Sequence, residues 1–223
     1  MPYRHLPIIP DQVYHIYNRS IARQPIFLIQ RDYQRLINLI HYYSFLSPPL
    51  RFSHFNRLDS NLRQSMYNTL IRQPKRVSIY AFCLMPNHFH FLVSTTYEKG
   101  ISQFLSDIQN SYAKYFNTRH ERSGALFQSM FKAVRIETDE QFLHVARYIH
   151  LNPFTSYVVK SFADLETWSW SSLFDYIKSD ERGIIDRERL MDSFKTVEKF
   201  KKFIFDQADY QRNLDDIKHL LLE

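Results

Sequence analysis

Glycine is nearly missing, with three residues in 223. A GxxxxGK(S/T) loop or a GxGxxG turn needs glycine wherever the backbone must approach phosphate, so P-loop and Rossmann classes are excluded. Cysteine occurs once, as Cys83, which rules out an internal disulfide and the multi-thiolate cage of a structural zinc site. No run approaches the roughly 18 consecutive apolar residues of a membrane span, and the opening MPYRHLPIIPDQ lacks the apolar centre of a secretion signal. The expectation is a cytoplasmic chain with no membrane partner. The residues that are present fit one domain, or a domain with an appendage, and their 44% apolar content can build an ordinary core. Lys and Arg outnumber Asp and Glu by 29 to 23, alongside 15 Tyr and 19 Phe. That mixture suits phosphate contact and base stacking, though many basic proteins share it.

Residues 13–18 (VYHIYN) are β-branched and aromatic after the turn signals Pro10 and Asp11, and read as a strand. From Arg31, the helical spacing of Leu36, Ile37, Ile40 and Tyr43 predicts a helix that ends before Ser47-Pro48-Pro49. Residues 48–74 look like a polar insertion with one helical stretch near 61–71. Residues 77–84 and 89–94 are strand-like runs joined by Met85-Pro86-Asn87, a hairpin. A second helix, capped by Ser102, carries Phe104, Leu105, Ile108, Tyr112 and Tyr115 to about Asn117. Residues 131–137 alternate as a strand, and Thr138 with Gln141 predicts a capping box for a third helix. Phe142, Val145 and Ile149 should point inward from that helix, which is expected to stop at Asn152 before Pro153.

The first six elements give βαββαβ, an α+β ferredoxin-like antiparallel sheet with helices on one face. An extra helix and a helical C-terminal appendage follow, the latter ending in the apolar Leu220–Leu222. The expected division is a domain over 1–175 and the appendage over 176–223.

His88 and His90 stand two apart on the second hairpin strand, so both imidazoles share a face, about 7 Å apart at Cα, and can grip one cation. For the pair by itself, ordinary half-buried strand residues are the plainer reading. Tyr148 and Asn152, spaced i and i+4, share a helix face away from the main apolar stripe. Packing at the core margin and a C-terminal cap are the plainer roles for them.

Together, the run 84–93 (LMPNHFHFLV), residues 148–153 (YIHLNP) and residues 14–19 (YHIYNR) resemble the single-tyrosine HUH transposases of bacterial insertion sequences. The likeness is nearest to their REP-associated relatives, which carry asparagine at the Asn152 position, and it spans roughly residues 10–175. The resemblance implies that His88, His90 and Asn152 bind Mg²⁺ or Mn²⁺ and that Tyr148 is the nucleophile. The activity it implies is cleavage and transfer of single-stranded or palindromic hairpin DNA through a 5′-phosphotyrosine. Relatives include homodimers that exchange the tyrosine helix, so a homodimer is one arrangement open to this chain.

The chain departs from the family where relatives carry arginine in W-Q-x-R-F: Phe127-Gln128-Ser129-Met130-Phe131 has methionine. Trp168-Ser169-Trp170-Ser171-Ser172 resembles the family's closing W-S-S and reads also as aromatic packing followed by a serine cap. The expected DNA-contacting residues are His15, Asn18 and Arg19 on the first strand, and Lys114, Arg119, Arg122, Lys132 and Arg135 around the second helix and fourth strand. Solvated surface is the default for any single one of these cations, with Lys199, Lys201 and Lys202 as the alternative groove. Tyr112 and Tyr115 could be nucleophiles by type, but their positions suggest core, and Cys83 among apolar neighbours is expected to be inert. Two rival readings are an RNA-recognition-like binding module on the same βαββαβ plan, whose aromatic signature is absent here, and a catalytically inactive relative serving as repressor or scaffold.

Overall fold

A computed structural model describes residues 7–178, 182–206 and 208. In chain order the elements are β1 (Val13–Arg19), α1 (Gln30–Tyr43), α2 (Phe52–Phe55), α3 (Ser60–Leu70), β2 (Ser78–Met85), β3 (His88–Ser94) and α4 (Gly100–Arg119). There follow β4 (Lys132–Ile136), α5 (Asp139–Thr155), α6 (Phe162–Thr167), α7 (Ser172–Lys178), α8 (Glu188–Met191) and α9 (Val197–Phe205). The strands form one antiparallel sheet in the order β2-β3-β1-β4, the ferredoxin-like arrangement expected from the sequence.

Period-two alternation divides this sheet chemically. Phe89, Phe91 and Val93 of β3, with Tyr14 and Ile16 of β1, join a core completed by Leu36, Ile37 and Ile40 of α1 and Phe104, Leu105, Ile108 and Tyr112 of α4. Leu92 and Val13 face the other way, into a second core with Phe142, Ala146 and Ile149 of α5, Leu173 and Tyr176 of α7, and Phe200 and Ile204 of α9. The two crossover helices thus share one face, while α5 and the helices after it cover the other. Residues from α9 are part of this second core, and Arg147 of α5 lies 3.6 Å over the Phe203 ring. The C-terminal run Leu220–Leu222 lies outside the described residues.

Three local expectations change. Helix α4 begins at Gly100, after Lys99 in the left-handed region (φ 59°), so Ser102 is inside it and caps nothing. A Cβ at residue 100 would collide with the Thr95 side chain, whose hydroxyl donates to the Arg76 carbonyl at 2.6 Å. Glycine therefore lets the helix dock two residues earlier than serine chemistry suggested. At α5, Thr138 Oγ1 does accept from Gln141 N (3.1 Å), but Gln141 reaches back to Glu137 N (2.9 Å), one residue before the cap. That helix also runs through Pro153 to Thr155. The proline lacks a donor, yet burial of Phe154 against Phe162 and of Thr155 holds the last turn, whose Asn152 carbonyl accepts from Ser156 N at 3.0 Å. Within the insertion, α3 matches the expected helix and the short α2 is additional.

Candidate active site

The hairpin turn between β2 and β3 consists of Pro86 and Asn87, since Met85 pairs with His88. It is clasped by the segment after β1: Ser20 N donates to the Asn87 carbonyl (2.9 Å) and Ile26 N to the Pro86 carbonyl (2.8 Å). His88 and His90 follow on the face opposite Phe89 and Phe91, with ring centroids 5.0 Å apart. Antiparallel pairing sets Arg19 beside His88 and Tyr17 beside His90. His15, on the same face of β1, stacks on His90 at 5.2 Å, with His15 Nε2 3.0 Å from His90 Nδ1.

Helix α5 crosses above these imidazoles. The Tyr148 ring stands edge-on to His90 (5.6 Å between centroids) and to His15 (5.9 Å). One turn on, Asn152 is 3% exposed and its Oδ1 has no hydrogen-bond partner among the described residues. His90 Nε2 is likewise buried without a partner. Buried polar atoms are almost always satisfied, so two such atoms at one spot point to a missing ligand or water. Together with Arg19, Arg23 and Tyr157, these side chains line a cleft of about 850 Å³.

Burial sets the charge of the site. It lowers His15 to about 4 and His88 to about 4; at His88 the charge of Arg19 adds to the effect, and the Asn152 side chain, close to the ring though not in hydrogen-bond geometry, opposes it. His90 is lowered well below 6.5 by burial first, then by His88, His15 and Arg19. All three are neutral at pH 7 and keep a lone pair each, which is what ligation requires. No group of three or more His, Cys, Asp or Glu side chains that could hold a metal occurs among the described residues. His88, His90 and Asn152 are the side chains here that could hold a metal, with His15 bonded to His90 behind them.

The structure gathers His88, His90, Tyr148 and Asn152 with His15 and Arg19, and separates the remaining expected contacts. Asn18 points to the opposite face, 3% exposed, donating to Gln109 Oε1 (2.5 Å) and the Gln128 carbonyl (3.2 Å), so it ties β1 to α4 rather than facing the cleft. Lys132 pairs with Tyr17 and is exposed on the cleft face, whereas Arg135 pairs with Tyr14 on the other. Lys114 and Arg119 belong to α4, on that other face, and Arg122 bonds back to Asn117 Oδ1 at 3.1 Å. The expected single stripe of cations is thus divided by the sheet.

Tyr112 and Tyr115 are also on the far face. The Tyr112 hydroxyl donates to the Ile26 carbonyl, and that of Tyr115 donates to Asp32 Oδ1 at 3.0 Å. Cys83 is fully buried, with its thiol pushed upward by desolvation, in keeping with an inert residue. Trp170 stacks on Tyr33 at 5.0 Å and Trp168 meets the same ring edge-on. Ser172 Oγ accepts from Phe82 N (2.8 Å) and lies 2.8 Å from His150 Nε2, tethering α5 to β2, while Ser171 Oγ accepts from Leu173 N at 3.2 Å. The structural role of this segment holds. Met130 is half-buried just before β4.

Sequence reasoning missed Tyr17 and Arg23, whose cleft positions have no local signature, and treated Asn87 only as a turn former.

A family model described as "Transposase IS200 like" matches residues 10–152, a span containing both histidines, the tyrosine and the asparagine. The chain belongs to the IS200-like transposase family. A solved structure described as a REP-associated tyrosine transposase bound to a REP hairpin has the same fold, with a TM-score of 0.51 and 17% identity over 79% of this chain and 85% of that one. No curated protein matches the chain significantly. Among the described residues of this IS200-like transposase, no helix is long and apolar enough to cross a membrane.

Proposed function

We propose that the chain cleaves and rejoins single-stranded or hairpin DNA through a 5′-phosphotyrosine at Tyr148. The observation that carries this reading is the meeting of Tyr148, from α5, with the neutral His88–His90 pair, from β3, in one cleft whose buried His90 Nε2 and Asn152 Oδ1 have no hydrogen-bond partners among the described residues. Family membership and a fold neighbour described with a REP hairpin support the same substrate class.

The donor set fits a divalent ion that accepts mixed nitrogen and oxygen ligands, such as Mg²⁺ or Mn²⁺, held by His88, His90 and Asn152. When bound, such an ion neutralises charge on the non-bridging oxygens of a scissile phosphodiester. Arg19 and Arg23, lining the same cleft, attract the flanking backbone. Tyr148 Oη then forms its bond to phosphorus as the bond to the 3′ oxygen breaks, and the phenol proton passes to water. The products are a 5′-phosphotyrosine and a free 3′-OH, and attack by another 3′-OH reverses the step. Phosphodiester energy is conserved, in line with a chain that has no P-loop.

The test uses hairpin DNA labelled on either side of the cut. Wild-type protein with Mg²⁺ or Mn²⁺ should retain the 3′-side label covalently and release the 5′-side fragment, and excess EDTA should stop both. Tyr148→Phe should bind DNA but form no adduct. An adduct formed by Tyr148→Phe, or full activity in chelator, would overturn the nucleophile or the cation assignment respectively. A wild type that binds DNA yet never forms an adduct would favour an inactive relative or binding module.

A further inference from the structure

If His88 and His90 hold a cation, the location of each imidazole proton decides whether they can. A neutral imidazole has one N–H and one lone pair, and only the latter ligates. For His88 the hydrogen-bond network fixes the choice. Asn87 Nδ2 donates to the Arg23 carbonyl at 3.0 Å, and a carbonyl can only accept. The other end of that amide, Oδ1, is therefore the atom 2.6 Å from His88 Nδ1, and it too can only accept. His88 Nδ1 must carry the proton, leaving a lone pair on Nε2. The Arg23 carbonyl is itself presented by a strained turn, with Ala22 and Arg23 both at φ 55°, a conformation that non-glycine residues keep only where surrounding structure holds them.

For His90 the partner is His15, with a single hydrogen bond between His90 Nδ1 and His15 Nε2. Were His15 the donor, His90 would bear its own proton on Nε2, a buried N–H without an acceptor. With the proton on His90 Nδ1, the buried Nε2 is instead a lone pair, matching His88.

We propose that Asn87 and His15 are positioning residues that hold His88 and His90 as Nδ1–H tautomers, so that both Nε2 lone pairs are available before any cation arrives. This rests on the cation reading above and gives His15 a role other than DNA contact. Partners of this kind, behind a ligating histidine, typically change metal affinity or activity by about 10–100-fold.

Long-range ¹H–¹⁵N correlation of the imidazoles in the ¹⁵N-labelled, metal-free full chain at neutral pH reads the tautomers directly, with His88→Gln and His90→Gln providing assignments. Both histidines should be Nδ1-protonated in the wild type. Asn87→Ala should release His88 and His15→Phe should release His90 toward the Nε2–H form. Mn²⁺ affinity by calorimetry should fall about 10–100-fold in each, while Asn87→Asp and His15→Gln, which retain an acceptor, should restore both readouts. An Nε2–H tautomer at either histidine of the wild type overturns the proposal without need of any variant. So do unchanged tautomers in folded Asn87→Ala and His15→Phe. A wild type with the stated tautomers that binds no Mn²⁺ would remove the cation reading and leave the positioning roles standing.

Discussion

Phe89 and His90 are consecutive on β3, yet their side chains enter different environments. On the Phe89 side, rings meet rings: Phe91 stands edge-on to Phe104 at 5.8 Å and Phe89 to Phe127 at 5.7 Å, all of them buried. The tyrosine hydroxyls on that side bond within the protein, Tyr112 to Ile26 and Tyr115 to Asp32. On the His90 side, His90 itself is buried but His15, Tyr17, His88 and Tyr148 around it are only half-buried, His90 Nε2 and Asn152 Oδ1 have no hydrogen-bond partner among the described residues, and Val134 of the edge strand β4 is 52% exposed. Native cores rarely tolerate such atoms, and the two that line one cleft mark it as a candidate functional site. The Phe89 face carries core packing around Phe89 and Phe91, and the other face combines a second core with a cleft that holds polar atoms without partners among the described residues.

The sharpest break of this comparison is a pair of substitutions one residue apart. Phe91→Ala should destabilise the fold by about 3–5 kcal/mol, because a close-packed cluster cannot collapse into the cavity. His90→Leu, similar in volume, should change stability by no more than about 1 kcal/mol, since removing the unsatisfied buried Nε2 offsets loss of the bond to His15, while cleavage is lost. Chemical denaturation with an adduct assay checks both. Equal destabilisation by the two would mean that the faces do not differ as described.

A smaller effect should appear with acid. His15 and His88 titrate near 4 in the folded chain, against 6.5 for the ordinary side chain, because burial disfavours their charged forms. Unfolding lets them take up protons, so stability is full above pH 6.5 and is lost as pH falls toward 4. His41 on the other face, also lowered to about 4 by burial and Lys75, contributes in the same direction. Melting temperatures between pH 7 and 4 should therefore decline, and His15→Gln combined with His88→Gln should flatten the decline more than His41→Gln does.

The smallest expected effect separates two cations of β4. Lys132→Ala should reduce the slope of log affinity against log salt by about 0.7–0.9, one phosphate contact, whereas Arg135→Ala should leave it unchanged. Equal changes would place DNA on both faces.

Much of this arrangement is legible in the residues. Alternation in FHFLV separated phenylalanines from histidines, and the i, i+4 spacing put Tyr148 and Asn152 on one face of α5. Charge patterning was less informative, because Lys132 and Arg135 are close in sequence but three residues apart on a strand, an odd step that sends them to opposite faces. Asn18 looked like a polar strand residue available to DNA, and only the approach of Gln109 from α4 shows why it is buried.

What the sequence determined by itself was therefore local: period, turn, cap and the identity of the groups able to do chemistry. Those follow from forces acting within a few residues. The tertiary structure decided which groups meet. It brought α5 over the β3 histidines by burying Phe142, Ile149 and Phe154, carried that helix past Pro153, and set Asn87 between the Arg23 carbonyl and His88. These contacts join segments distant along the chain, and no periodicity records them, because they arise only when the sheet's two faces are closed by different helices.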